Sequence, residues 1–322
     1  MNSPNVRKYF DMVLKAVVVL IFIYILTAYF KSNNWDKISS SVSIKDFKSR
    51  WYYLALVLLL MPLNWLIESI KWRSMMINYS EISLTTAYKS ILFGVTCGLI
   101  TPARVGDFLG RLLLIDAEFK KQSVYASFIC SLAQNIVTLI IGIIACIYFI
   151  SNIHDFNLAS NYIIITNVLI ISVGLVLYYF HRTILGCFSN SNLYRKHLGF
   201  LDSYVVNIKV FHRVLFLALF RFAVYASQYL LILFFIGISS STWNNVIAVS
   251  TIFLIQSTIP LPPLMGLLAR GEIAVIILGL LGYNTITALL SAGLLWVINL
   301  ICPALLGLVL ILKLNLWRSI RS

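Results

Sequence analysis

Residues 98–115 read "GLITPARVGDFLGRLLLI". The stretch lies between long apolar runs, yet it carries Arg104, Asp107 and Arg111, with Pro102, Gly106 and Gly110 among them. An arginine or aspartate at the centre of a lipid-facing helix costs roughly 2.5–3.5 kcal/mol on insertion scales. These side chains therefore face protein, water or a ligand.

The setting is a membrane. Of 322 residues, 60% are hydrophobic and only 11% charged, and the mean hydropathy of +0.91 is far above what a soluble surface tolerates. The expected fold is all-α, a polytopic integral membrane helical bundle forming one membrane domain over 1–322. The net charge of +14 lies in short connectors rather than on one soluble face. It points to loops against anionic lipid and away from nucleic acid. Five cysteines without a CxxC and four scattered histidines give neither a disulfide framework nor a metal site. Arg7, Lys8 and Lys15 precede an apolar run that imitates a signal peptide, but no small-x-small cleavage site follows, so an uncleaved first span is expected.

Apolar windows of spanning length fall at about 12–30, 51–70, 122–150, 161–181, 212–236 and 285–312. That predicts six full spans. Two further regions, 84–115 and 243–282, are apolar but broken by proline, glycine and charge, and each half is short for a bilayer. They are expected to be re-entrant helical hairpins. Arg182, Arg195, Lys196, Lys209, Arg213, Lys313, Arg318 and Arg321 then fall on the cytoplasmic side with both termini, in the cell (inner) membrane. The connector 31–50 runs against this, because it carries Lys31, Lys37, Lys45, Lys48 and Arg50 yet is placed outside.

The second broken region reads "STIPLPPLMGLLARGEIAVIILGL". Pro102-x-x-x-Gly106 is answered there by Pro262-x-x-x-Gly266, with Pro263 beside it, and each is followed by an arginine and a carboxylate. Two repeat halves, about 51–150 and 212–312, are expected to have opposite orientation. Broken helices of such inverted repeats meet near the midplane.

Arg104, Asp107 and Arg111 are spaced three and four apart and share one helix face, leaving guanidinium donors in excess. The planar guanidinium matches two oxygens of a phosphate, and free N–H groups after Pro102 favour the same anion. The bland alternative pairs Arg104 with Asp107 to close the hairpin and lets Arg111 snorkel to the surface. Arg270 and Glu272 are two apart and point to different sides, so either Arg221 pairs with Glu272 or both face a water-filled cavity. Glu68, in "NWLIESIKWR" with Asn64 and Arg73, is expected at the interface as support, and Asn64 as a bridge between helices. No HExxH, phosphate loop or converging Ser/His/Asp set is present. No catalytic residue and no cofactor is therefore expected.

"NWLIESIKWR", "GLITPARVGDFLGR" and "IPLPPLMGLLARGE" together resemble the lysylphosphatidylglycerol synthase transmembrane, or flippase-like, family over about residues 12–312. The resemblance implies the half that moves a lipid across the bilayer, without the separate synthase domain. It places the family's first element on Pro102, Gly106 and Asp107 with Arg111, and its later element on Pro262, Gly266 and Glu272. Two positions depart from the family: Pro263-Leu264 stands where Gly-Gly is usual, and Ala133-Gln134 stands where a Glu-Arg pair is common. Both departures bear on the substrate more than on the fold.

The residues thus point to a lipid translocase acting on a head group that contains phosphate, with a polyprenyl-phosphate-linked sugar as an alternative cargo. Arg104, Arg111, Arg221 and Arg270 would bind it, with Asp107 and Glu272 tuning or releasing it. A membrane transferase using a lipid phosphate is the alternative, as is a non-transporting partner of a separately encoded lipid-modifying enzyme. Membrane lipids are the expected partners in each case.

Overall fold

The computed structural model describes residues 49–77, 79–101, 104–153, 161–187, 207–238, 241–258 and 263–314, with isolated positions 189, 191 and 199. The expected first span at 12–30, most of the connector 31–50, and both Pro102 and Pro262 lie outside these residues, as do the side chains of Pro263 and Gly266. All described regular structure is helical: α1 Trp51–Met76, α2 Leu84–Ile100, α3 Val105–Arg111, α4 Lys120–Ile153, α5 Asn161–Gly186, α6 Ile208–Ile236, α7 Thr242–Thr258, α8 Pro263–Gly279, α9 Thr285–Trp296 and α10 Cys302–Leu312.

Four of the helical segments are long and apolar enough to cross a membrane: Trp51–Met76, Ala117–Ser151, Ile208–Ile236 and Thr285–Leu312. The sequence predicts six. One of the other two lies outside the described residues, and 161–181 forms α5, whose described apolar stretch is only Leu169–His181.

The distribution of polarity is that of a protein dissolved in lipid. Trp51, Leu56, Leu58 and Leu59 in the first half of α1 are exposed, whereas Asn64, Glu68, Ser69 and Lys71 in its second half are buried. Hydrocarbon accepts the leucines, so the polar groups turn inward, where they find partners.

α1 and α6 pack antiparallel. Tyr53 meets Phe234 with ring centroids 5.7 Å apart, Gln228 donates to the Val57 carbonyl at 3.0 Å, and further along Arg221 reaches Glu68. Pro62 inside α1 has no N–H to give the carbonyl one turn back, which opens the ladder beside the Gln228 bond. α6 starts on Asn207, whose side chain accepts from the Lys209 N–H at 3.0 Å. It stops at Gly237, whose φ of 106° suits glycine and lets Ile238 bond back to the Leu233 carbonyl at 2.9 Å.

α4 fits against α7 through Gly142, where any Cβ would collide with Leu254. The last span is broken by a π turn, Val297–Ile301, between α9 and α10. Pro303 explains it: the missing N–H would have bonded to the carbonyl of residue 299, and the wider turn relieves the ring. Asn299, in that turn, is 4% exposed.

Candidate functional site

Two glycine pairs build the first broken region. α2, capped by the Ser83 hydroxyl accepting from the Thr86 N–H at 3.1 Å, turns back near residue 101 into the short antiparallel α3. A Cβ on Gly106 would strike the Cys97 carbonyl, one on Gly110 the Phe93 carbonyl, and one on Gly94 the Asp107 side chain. Gly94-x-x-x-Gly98 thus faces Gly106-x-x-x-Gly110, the small-residue spacing that lets helix backbones touch. At 17 residues, α2 extends about 26 Å and stops short of a 30 Å hydrocarbon core. On its other side Thr96 donates to the Ala304 carbonyl at 2.9 Å, fixing the hairpin to α10.

The turn sets Arg104. Its φ of 58° and ψ of 25° are left-handed, a conformation that side chains seldom adopt, at the first position before α3. The Gly106 N–H is satisfied by the Thr101 hydroxyl at 2.7 Å.

Behind the hairpin lies a buried charge cluster centred on Glu68, which is 3% exposed. Lys71 donates to Glu68 Oε2 at 2.9 Å and to Gln134 Oε1 at 3.3 Å. Arg221 Nη1 stands 3.2 Å from the same Oε2. Both terminal nitrogens of Arg111 reach Glu68 Oε1 at 3.4 Å, and the same guanidinium binds Asp107 through Nε–Oδ1 and Nη2–Oδ2, each at 3.2 Å. Gln134 also donates to the Ala218 carbonyl at 3.3 Å, tying α4 to α6. Three cations therefore share two carboxylates.

Beside the cluster is a cavity of about 240 Å³ walled by Arg104, Arg221 and Arg270. Amide and hydroxyl groups complete the polar wall, and Trp65, Tyr225 and Trp296 contribute aromatic faces. Among the described residues no carboxylate lines it. The Arg221 guanidinium lies 5.1 Å from the Trp65 ring centroid, a cation–π contact, so this arginine joins cluster and cavity. Arg104 Nε, Arg221 Nε and Trp65 Nε1 are buried donors without a partner. Such groups are costly unless something accepts from them. Among the described residues no three His, Cys, Asp or Glu side chains gather as a metal site.

The structure distributes the expected binding residues unevenly. Arg104, Arg221 and Arg270 meet at one cavity, although they come from α3's entrance, α6 and α8. Arg111, 3% exposed, spends its donors on Asp107 and Glu68 and does not line the cavity. The bland pairing of Arg104 with Asp107 is replaced by Arg111 with Asp107. Glu272 is exposed and Arg221 pairs with Glu68 instead, because α1 lies alongside α6 at that level. Glu68, expected at the interface, is 3% exposed and enclosed by protein, paired to α3 and α6 through Arg111 and Arg221. Arg73 does sit at the helix end, donating to the Ile82 carbonyl at 2.7 Å. Asn64 donates to Asn299 Oδ1 at 3.2 Å, bridging α1 to the π turn.

Asn299 and Trp65 were not singled out from the sequence, Gln134 stood out only as a departure from the resemblance, and Lys71 only as a neighbour of Glu68. Lys71 follows Glu68 by three, the spacing of a helical ion pair, and Asn299 is an amide in an otherwise apolar span just before Pro303.

Fold and site together define a multi-pass helical membrane protein with three half-buried arginines gathered at one cavity. The chain belongs to the family described as the lysylphosphatidylglycerol synthase TM region, whose model matches residues 12–307. No curated protein and no solved structure matches the chain. Membership connects it to a membrane family named for lipid modification.

Proposed function

We propose that this protein passes a lipid with a phosphate-containing head group between the leaflets of the cytoplasmic membrane. The observation that carries the reading is the convergence of Arg104, Arg221 and Arg270 on one cavity with no carboxylate among its described lining residues. Three forked donors gathered on one half-buried cavity favour a phosphate. The volume suits a head group, whose desolvation is offset by fixed donors while the acyl chains stay in lipid.

The two broken regions act as hairpins of an inverted repeat, one delivering Arg104 and the other Arg270 to the same chamber from opposite leaflets. Arg111 and Glu68 position the set: they hold α3 and α6 in register and leave Arg221 facing the phosphate. The basic connectors put both termini in the cytoplasm, and 1–322 works as a single membrane domain.

The test is reconstitution into liposomes carrying fluorescent phospholipids, with leaflet exchange followed by quenching from outside. Wild type moves anionic phospholipid. Arg270→Gln, which makes no ion pair among the described residues, keeps its fold and loses roughly 10- to 100-fold in rate, the value of a charged hydrogen bond of about 1.5–3 kcal/mol. Wild-type vesicles that exchange no phospholipid faster than empty ones refute the reading.

A further inference from the structure

The cavity wall offers more than a phosphate uses. A phosphate only accepts hydrogen bonds, and the three arginines already supply donors for it. Yet Asn64, Gln134, Gln256 and Asn299 also line the space, with the hydroxyl of Ser257. An amide presents a donor and an acceptor together, and so does its natural complement, an alcohol.

The Asn64–Asn299 pair sharpens this. Their single bond, from Asn64 Nδ2 to Asn299 Oδ1 at 3.2 Å, leaves Asn64 Oδ1 without a donor and Asn299 Nδ2 without an acceptor. Both residues are more than nine-tenths buried, at 1% and 4% exposed. One hydroxyl donating to the first atom and another accepting from the second would satisfy both. Trp65 and Trp296 add flat apolar faces of the kind that lie against the C–H face of a ring.

Charge removes the competing class. A head group ending in an amine would bring a further cation beside three arginines, where no described lining residue is acidic. Glu68 and Asp107 are already engaged by Lys71, Arg111 and Arg221. Like-charge juxtaposition of this kind is a device for rejecting partners. At about 240 Å³ the space is smaller than most sites for whole ligands, which run to roughly 300–1,000 Å³, and it fits one ring with its phosphate.

We infer that the cavity selects a phosphate esterified to an uncharged polyhydroxylated ring, a glycosyl or inositol phosphate, over phosphates bearing an amine. This inference rests on the anionic head-group reading and narrows it.

The experiment is calorimetric titration of the purified full chain in nanodiscs with glucose 1-phosphate, inositol 1-phosphate, glycerol 3-phosphate, inorganic phosphate and phosphoethanolamine. The two ring phosphates are expected to bind at least about tenfold tighter than inorganic phosphate or glycerol 3-phosphate, a difference of one decade in Kd, with phosphoethanolamine weakest. Gln256→Leu, which removes one amide from the wall, is expected to bring the ring phosphates to the affinity of inorganic phosphate measured on the same variant, and a preference left intact overturns the role of the amides. Repeating the titration with phosphatidylinositol and with a short polyprenyl glycosyl phosphate distinguishes the source: tighter binding of one lipid identifies the anchor, and no gain over the soluble esters identifies a free sugar phosphate. Equal binding of all phosphates, or phosphoethanolamine binding best, overturns the inference but leaves an anion site. Failure of every phosphate to bind overturns both.

Discussion

Arg221 reaches Glu68 at 3.2 Å across the interface of α6 and α1. The same arginine forms part of the cavity wall, so one guanidinium belongs at once to a charge cluster and to a candidate binding site. Lys71, Arg104, Arg111, Arg221 and Arg270 are five cations against the two carboxylates Glu68 and Asp107, which leaves three positive charges unbalanced. In a low-dielectric bundle such an excess calls for an anion.

Glu68→Gln removes the group on which Lys71, Arg111 and Arg221 converge. Breaking a buried ion cluster by deleting one partner costs about 3–5 kcal/mol. The variant is expected to show a lower unfolding midpoint in detergent than wild type, and Glu272→Gln, at an exposed position, an unchanged one. Equal midpoints for both variants would show that the cluster holds nothing together.

Gly110→Ala tests the hairpin. The added Cβ would press on the Phe93 carbonyl and the Gly94 backbone, which cannot swing aside as a side chain can. Overpacking of this kind costs about 1–3 kcal/mol. Gly279→Ala, where nothing lies within 4 Å of the new atom, is expected within about 0.5 kcal/mol of wild type. Thermal unfolding of the two in parallel decides it, and tolerance of both would mean that α2 and α3 do not touch.

Pro303→Ala restores an N–H to the last span. The π turn at Val297–Ile301 is then free to close to ordinary α-helix, rotating Asn299 away from Asn64. Stability is expected to hold or rise, while binding of ring phosphates weakens severalfold. An unchanged Kd would show that the turn has no part in placing Asn299.

The sequence exposes which groups are out of place in lipid far better than it exposes what they pair with. Pro102, Gly106 and the arginines around them stand out because apolar surroundings make each costly, and the helical character follows from hydropathy alone. The partner of Arg221 does not, because it depends on α1 running antiparallel to α6, a fact of packing with no local signature. Glu68 shows the same limit: its basic and aromatic neighbours suggest a local pairing, while the reach of Arg111 and Arg221 to it from α3 and α6 has no local signature. Asn299 is hidden for the opposite reason, since one amide hardly lowers the hydropathy of its span. The facing Gly94/Gly98 and Gly106/Gly110 pairs are legible as spacing, but their contact needs the turn at 101–104.

A cationic, water-reachable chamber inside the bundle is tested most directly by thiol labelling. With the native cysteines replaced, Ser257→Cys places a thiol at the cavity wall and Ser151→Cys places one at an exposed helix end. Anionic and cationic methanethiosulfonates of similar size are compared at each. The anionic reagent is expected to react at position 257 about tenfold faster than the cationic one, with the ratio shrinking as salt is raised and near unity at position 151. A cationic reagent that reacts as fast at position 257, or no reaction there with either, would contradict it.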